Sequence, residues 1–118
     1  MMNALLSYVR EGISMELRLA RRDNGPYFHS THEGYGVLME EVYEAKREIE
    51  RLTSLSDSML DLVHRNNDYS LKKGAEAIGV AATLAACELI QVAAMARKMR
   101  ESIDVCCPQG GEQVDRQD

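Results

Sequence analysis

The segment from Ala75 to Ala96 constrains the fold more than any other part of the chain. It is mostly apolar, rich in alanine, and preceded by Lys72-Lys73-Gly74. A run of that length needs cover, either from lipid or from protein. Glu76, Glu88 and Gln91 lie inside it, and a charge near the middle of a membrane span costs about 2.5–3.5 kcal/mol even on lenient insertion scales. A lipid-facing span would also use Leu and Ile where this one uses Ala. The segment therefore reads as the buried core helix of a soluble protein, with no membrane as partner.

The rest of the composition points the same way. The 118 residues suffice for one domain and fall short of two. Hydrophobic residues make up 45% of the chain but aromatics only 5%, so the core must come from Leu, Ile, Val, Met and Ala, which favours helices over sheets. A net charge of −5 repels a nucleic-acid backbone, and no long basic patch overrides it, so no nucleic acid is expected as partner. Met1 to Arg10 lacks the basic region and apolar run of a signal peptide. The three cysteines, Cys87, Cys106 and Cys107, are odd in number and read as reduced thiols of a cytoplasmic protein.

Periodicity divides the chain into four helices. Leu5, Val9, Ile13, Leu17 and Ala20 recur at helical spacing and predict a helix from about Asn3 to Arg22, closed by Asn24-Gly25-Pro26. Ser30-Thr31-His32-Glu33 matches a capping box, with Ser30 as N-cap and Glu33 reaching back; His32 reads as part of that helix start. From there Tyr35, Leu38, Met39, Val42, Ala45, Ile49 and Leu52 form one apolar stripe. Thr53 to Ser56 has capping character and predicts a break, followed by a short helix through Met59 and Val63 to Arg65. Asn66-Asn67-Asp68 signals a turn. The last helix runs from about Leu71 to Ile103, and its small residues from Gly74 to Ala86 allow close packing. The expected architecture is all-α: four helices in one domain over residues 1–105, then a disordered polar tail over 106–118.

The second helix carries an electrostatic oddity. Glu40, Glu41, Glu44 and Glu48 follow one another without a cation at the i+4 positions, and Glu41, Glu44 and Glu48 lie along one edge. Like charges at such spacing cost roughly 0.2–0.5 kcal/mol per pair on an exposed helix. For two charges 4 Å apart in a partly buried setting the cost rises to about 4 kcal/mol. A divalent cation relieves the repulsion, and Mg²⁺ or Mn²⁺ prefers carboxylate oxygens. The plainer reading is a solvated acidic face with Arg47 screening Glu44. Glu88 tilts the balance. It is the one acid between Ala77 and Ala96, and a carboxylate in an apolar helix needs a partner or a proton. Gln91 follows it at i+3. Glu41 and Glu44 on one helix and Glu88 and Gln91 on another make two pairs of the kind that build metal sites between helices.

Glu-Glu-x-x-Glu at 40–44 and Glu-x-x-Gln at 88–91 resemble the two motifs of the all-α nucleotide pyrophosphohydrolases, the MazG-like superfamily. Gly25-Pro26 with Phe28 and Ser30, then His32-Glu33-Gly34-Tyr35, and later Gln91-Val92-Ala93-Ala94-Met95-Ala96, are similar to small phage and bacterial MazG-like proteins. The resemblance covers residues 4–103. It implies a four-helix MazG-like bundle and a Mg²⁺-dependent hydrolase that cleaves a nucleoside triphosphate, ribo or deoxy, to the monophosphate and pyrophosphate. It maps the metal ligands to Glu41, Glu44, Glu88 and Gln91, with Glu40 ligating or positioning the attacking water. Lys72, Lys73, Arg97 and Lys98 are candidate phosphate contacts, or surface cations near the ends of the helix. A chain this small has little room to enclose a nucleotide, so a homodimer or homotetramer is expected.

Two departures stand out. The family usually carries Asp where this chain has Gln91, so one negative charge is missing. The stretch from Ile49 to Gly74 is longer than the usual connection between the motifs. An alternative function follows from the first departure: a non-catalytic MazG-like helical dimer that binds a nucleotide or a protein partner.

Overall fold

A computed structural model describes residues 2–106; the polar tail expected over 106–118 lies, apart from the backbone of Cys106, outside the described residues. Those described are helical throughout except for two short connections. The helices are α1 (Met2–Asn24), α2 (Thr31–His64) and α3 (Asp68–Cys106). The chain is thus all-α, but with three helices among the described residues where four were expected.

The expected break at Thr53 to Ser56 is absent because its hydroxyls serve the helix. Thr53 Oγ1 donates to the Ile49 carbonyl at 2.9 Å and Ser56 Oγ to the Leu52 carbonyl at 2.9 Å. Residues that cap a helix when they precede it bond back to the previous turn when they lie inside it. The segment through Met59 to His64 is therefore the end of α2.

The helix ends follow the sequence closely. Gly25 adopts φ 89°, a left-handed conformation that a side chain disfavours, immediately after α1. Ser30 Oγ accepts from the Glu33 amide at 3.1 Å, while the Glu33 carboxylate accepts from the His29 amide at 2.7 Å, one residue earlier than a standard capping box. Between α2 and α3, Asn66 takes φ 52°. Its amide bonds to the Val63 carbonyl and that of Asn67 to the Leu62 carbonyl, which is a Schellman closure. Asn67 Oδ1 then accepts from the Ser70 amide at 3.1 Å and caps α3. One asparagine ends a helix and the next begins another.

The chain divides into two compact units, Met1–Glu40 with Ile90–Asp118, and Glu41–Leu89. In the first, Leu17, Phe28 and Ala94 are buried. The Phe28 amide donates to Ser102 Oγ at 2.9 Å, and that hydroxyl donates to the Lys98 carbonyl at 2.7 Å. Arg21 of α1 pairs with Glu101 of α3, and Arg97 pairs with the same carboxylate at 3.1 Å. The hydrogen bonds from these two guanidinium groups hold Glu101 below the usual carboxylate range.

The second unit is an antiparallel hairpin of the later part of α2 and the earlier part of α3. Small residues set its spacing: Ala45, Ala81 and Ala85 are buried. A Cβ added at Gly74 would stand 2.6 Å from Met59 Sδ, so the glycine is what lets the thioether sit against the α3 backbone. Close packing over Gly74 to Ala86 is as expected, on one stripe.

Burial of the whole of α3 is not. Of its most apolar stretch only 17% is buried, although the helix is long and apolar enough to cross a membrane by length and composition. Val80 is 55% exposed, Leu84 43% and Leu89 48%. The reason is geometric: in a hairpin each helix covers a single stripe of the other, and the remaining circumference of α3 has no cover in that unit.

Overpacking the covered stripe tests this description. Ala81→Leu should lower stability to urea by about 1–3 kcal/mol, because Ala81 is fully buried. Ala82→Leu, at an exposed neighbouring position, should not lower it. Equal effects of the two substitutions would refute the assignment of faces.

Candidate metal centre

Glu40, Glu41 and Glu44 lie within little more than one turn of α2, and a carboxylate oxygen from each falls within 4.8 Å of the others. Glu40 is exposed, whereas Glu41 and Glu44 are half-buried at the edge of the apolar stripe. In the hairpin, Ala45 and Ala85 lie in the buried contact, and each precedes or follows an acid by one to three positions. With small residues setting the spacing, longer side chains at the edge can meet.

They do meet. The carboxyl of Glu88 hydrogen-bonds that of Glu44. Such a bond requires a proton on one of the two groups. Burial, the bond to Glu44 and the charges of Glu44 and Glu48 all push the Glu88 pKa up, and the Arg47 guanidinium opposes them. Glu48 completes the acidic edge one turn after Glu44. Its Oε2 is buried and has no hydrogen-bond partner among the described residues.

Of the predicted site residues, Glu40, Glu41 and Glu44 come together on α2, and Glu88 of α3 meets Glu44. Gln91 is half-buried and follows Glu88 at i+3 on the same helix. Lys72 and Lys73 are exposed near the start of α3, and Lys73 Nζ stands 5.8 Å from the centre of the Tyr69 ring. An unbroken α3 puts them about 23 Å before Glu88 along the axis. Arg97 is engaged by Glu101. Lys98 is neither a surface cation nor an open anion contact. It is 2% exposed, its Nζ stands 4.5 Å from the centre of the Phe28 ring, and burial depresses its pKa. His32 is exposed at the start of α2, and Cys87 is an exposed free thiol.

Sequence reasoning placed Glu48 on the acidic edge but left it out of the ligand set. The signal that singles it out is three-dimensional: an oxygen shielded from water with no donor. A separate apolar cavity of about 300 Å³ lies in the first unit against Phe28, Thr31, Met99 and Ile103. Compared with known families, curated proteins and solved structures, the chain matches no family model, no curated protein and no solved structure.

The pair gives a signed pH effect. An acid whose pKa is raised in the folded chain favours folding while protonated, and that contribution is lost as pH rises through the folded value. Glu88→Gln, which keeps a donor for Glu44 and removes the charge, should therefore raise the melting temperature of the metal-free protein at pH 8, with the gain shrinking towards pH 4. A lower melting temperature at pH 8 would contradict the shared-proton description.

Proposed function

We propose that this protein is a Mg²⁺- or Mn²⁺-dependent nucleoside triphosphate pyrophosphohydrolase. The observation that carries the reading is the meeting of Glu44 and Glu88 from two helices, with Glu41 on the adjoining turn and a shielded, unpartnered oxygen on Glu48. Carboxyls crowded together in this way form a donor set suited to a hard divalent cation. The orphaned oxygen fits such an ion, which would satisfy it. The residues that would hold the cation are Glu41, Glu44 and Glu88, with the amide oxygen of Gln91 as the neutral member. When bound, the cation supplies positive charge and Lewis acidity toward a triphosphate.

In this reading the oxygen of a water molecule bonds to the α-phosphorus. The bond from that phosphorus to the α–β bridging oxygen breaks, and pyrophosphate leaves with the electron pair. Glu40, exposed beside Glu41, takes the proton from water. The resemblance of the two motifs to MazG-like proteins supports this choice of reaction. The assembly is a cytoplasmic homodimer or homotetramer, with neither a membrane nor a nucleic acid as partner. The exposed Val80, Leu84 and Leu89 of α3 support self-association, since each would otherwise leave apolar surface in water.

Gln91 favours a second reading, a non-catalytic helical dimer that binds a nucleotide or a protein partner. Pyrophosphate release across ribo- and deoxynucleoside triphosphates, with Mg²⁺ or Mn²⁺, separates the two. The enzyme reading predicts release from at least one substrate, a loss of roughly tenfold or more in Glu41→Gln and Glu88→Gln, and higher activity in Gln91→Asp. No release from any substrate, with no metal-dependent rise in melting temperature, would refute it. A monomeric mass by light scattering at micromolar concentration would refute the proposed assembly.

A further inference from the structure

We infer that the groove between α1 and α3 in the first unit binds a small organic phosphate, with Arg10 and Arg97 holding the phosphate group and Ile13 and Ala93 seating the organic part. The inference is independent of the proposed cation site and uses none of its ligands. The two helices lie close where their residues are small. Ala94 is fully buried, and a Cβ added at Gly12 would stand 3.5 Å from Ile90 Cδ1. Beside that contact runs an open groove of about 480 Å³, lined by Arg10, Ile13, Ser14, Ala93 and Arg97. Its size suits a small molecule. Ile13 and Ala93 are half-buried and offer apolar surface, whereas Arg10, Ser14 and Arg97 are exposed.

The positive charge at this groove is not compensated. Arg21, Arg97 and Arg100 all pair with Glu101, so three guanidinium groups share one carboxylate. Arg10 adds a fourth and has neither an ion pair nor a hydrogen bond among the described residues. Glu11, its neighbour in sequence, projects about 100° away around α1. Arg97 bonds Glu101 through Nε at 3.1 Å, which leaves its terminal amino groups for another acceptor. In a chain of net charge −5 such a local surplus attracts an anion. A single guanidinium fork already satisfies a carboxylate. Two forks and the Ser14 hydroxyl match a phosphate instead, which carries about two negative charges and offers three acceptor oxygens.

The test is calorimetric binding of phenyl phosphate to the full chain at low salt, with EDTA present so that no divalent cation takes part. Inorganic phosphate, benzoate and phenol are compared as ligands. Arg10→Gln, Arg10→Lys and Ile13→Ala are compared with the parent. Arg22→Gln is the control, because Arg22 is exposed and paired with Asp23. Phenyl phosphate should bind saturably at one site per chain, more tightly than inorganic phosphate or benzoate, and phenol should not bind. Arg10→Gln should weaken phenyl phosphate binding by roughly tenfold or more, with its melting temperature unchanged because Arg10 is exposed. Arg10→Lys, which keeps the charge but loses the fork, should weaken binding less. Ile13→Ala should narrow the preference over inorganic phosphate, and Arg22→Gln should bind like the parent. Parent-like binding in Arg10→Gln, an equal loss in Arg22→Gln, or no saturable binding by the parent would overturn the inference. Benzoate or phenol binding as tightly as phenyl phosphate would overturn the assignment of the groove to a phosphate.

Discussion

Two carboxyls in contact, Glu44 on α2 and Glu88 on α3, set the terms for the rest of the hairpin. They meet because the residues between the helices are small. Ala45, Ala81 and Ala85 are buried and Gly74 admits Met59 against the backbone, so the helices lie close enough for acids at their edge to touch. Larger residues there would separate the helices and return the acids to water. The same small residues leave the hairpin with little apolar area to bury, and no large side chain among the described residues is fully enclosed. Stability and site therefore draw on one interface, and a charged cluster at its edge works against the packing beside it until something neutralises it.

The helix ends were the most legible part of the sequence. Gly25, Ser30, Glu33, Asn66 and Asn67 act through local backbone chemistry, and each has the role its residue type suggests. Thr53 and Ser56 misled because a hydroxyl serves equally well before a helix and inside one; only the continuing stripe through Leu55, Met59 and Leu62, half-buried along the hairpin, decides between them. The pairing of the two acidic segments was legible from spacing, since i, i+3 pairs on two helices can face each other. The orphaned oxygen of Glu48 was not, because shielding of a single atom depends on the neighbouring helix. Lys98 was unreadable for the same reason: a lysine late in a helix looks like a surface cation until Phe28 folds over it.

The apolar character of α3 was legible in the sequence, but the extent of its burial was not: only 17% of its most apolar stretch is buried. Hydrophobicity on every side implies partners on every side, and one chain provides only the α2 stripe for Ala81 and Ala85. Val80, Leu84 and Leu89 remain exposed. In the proposed homo-oligomer a second copy covers them, and no charged residue from Ala77 to Cys87 would have to be desolvated. Site and assembly then share α3, one face for the acids and the others for association.

The central claim is that the acids of α2 and α3 hold a divalent cation. Crystals grown with MnCl₂ and measured at a wavelength where manganese scatters anomalously test it without reference to substrate or activity. The account predicts an anomalous peak within coordination distance of carboxylate oxygens of both Glu44 and Glu88. A map with no peak there, and a direct hydrogen bond still joining the two carboxyls at neutral pH, would contradict it.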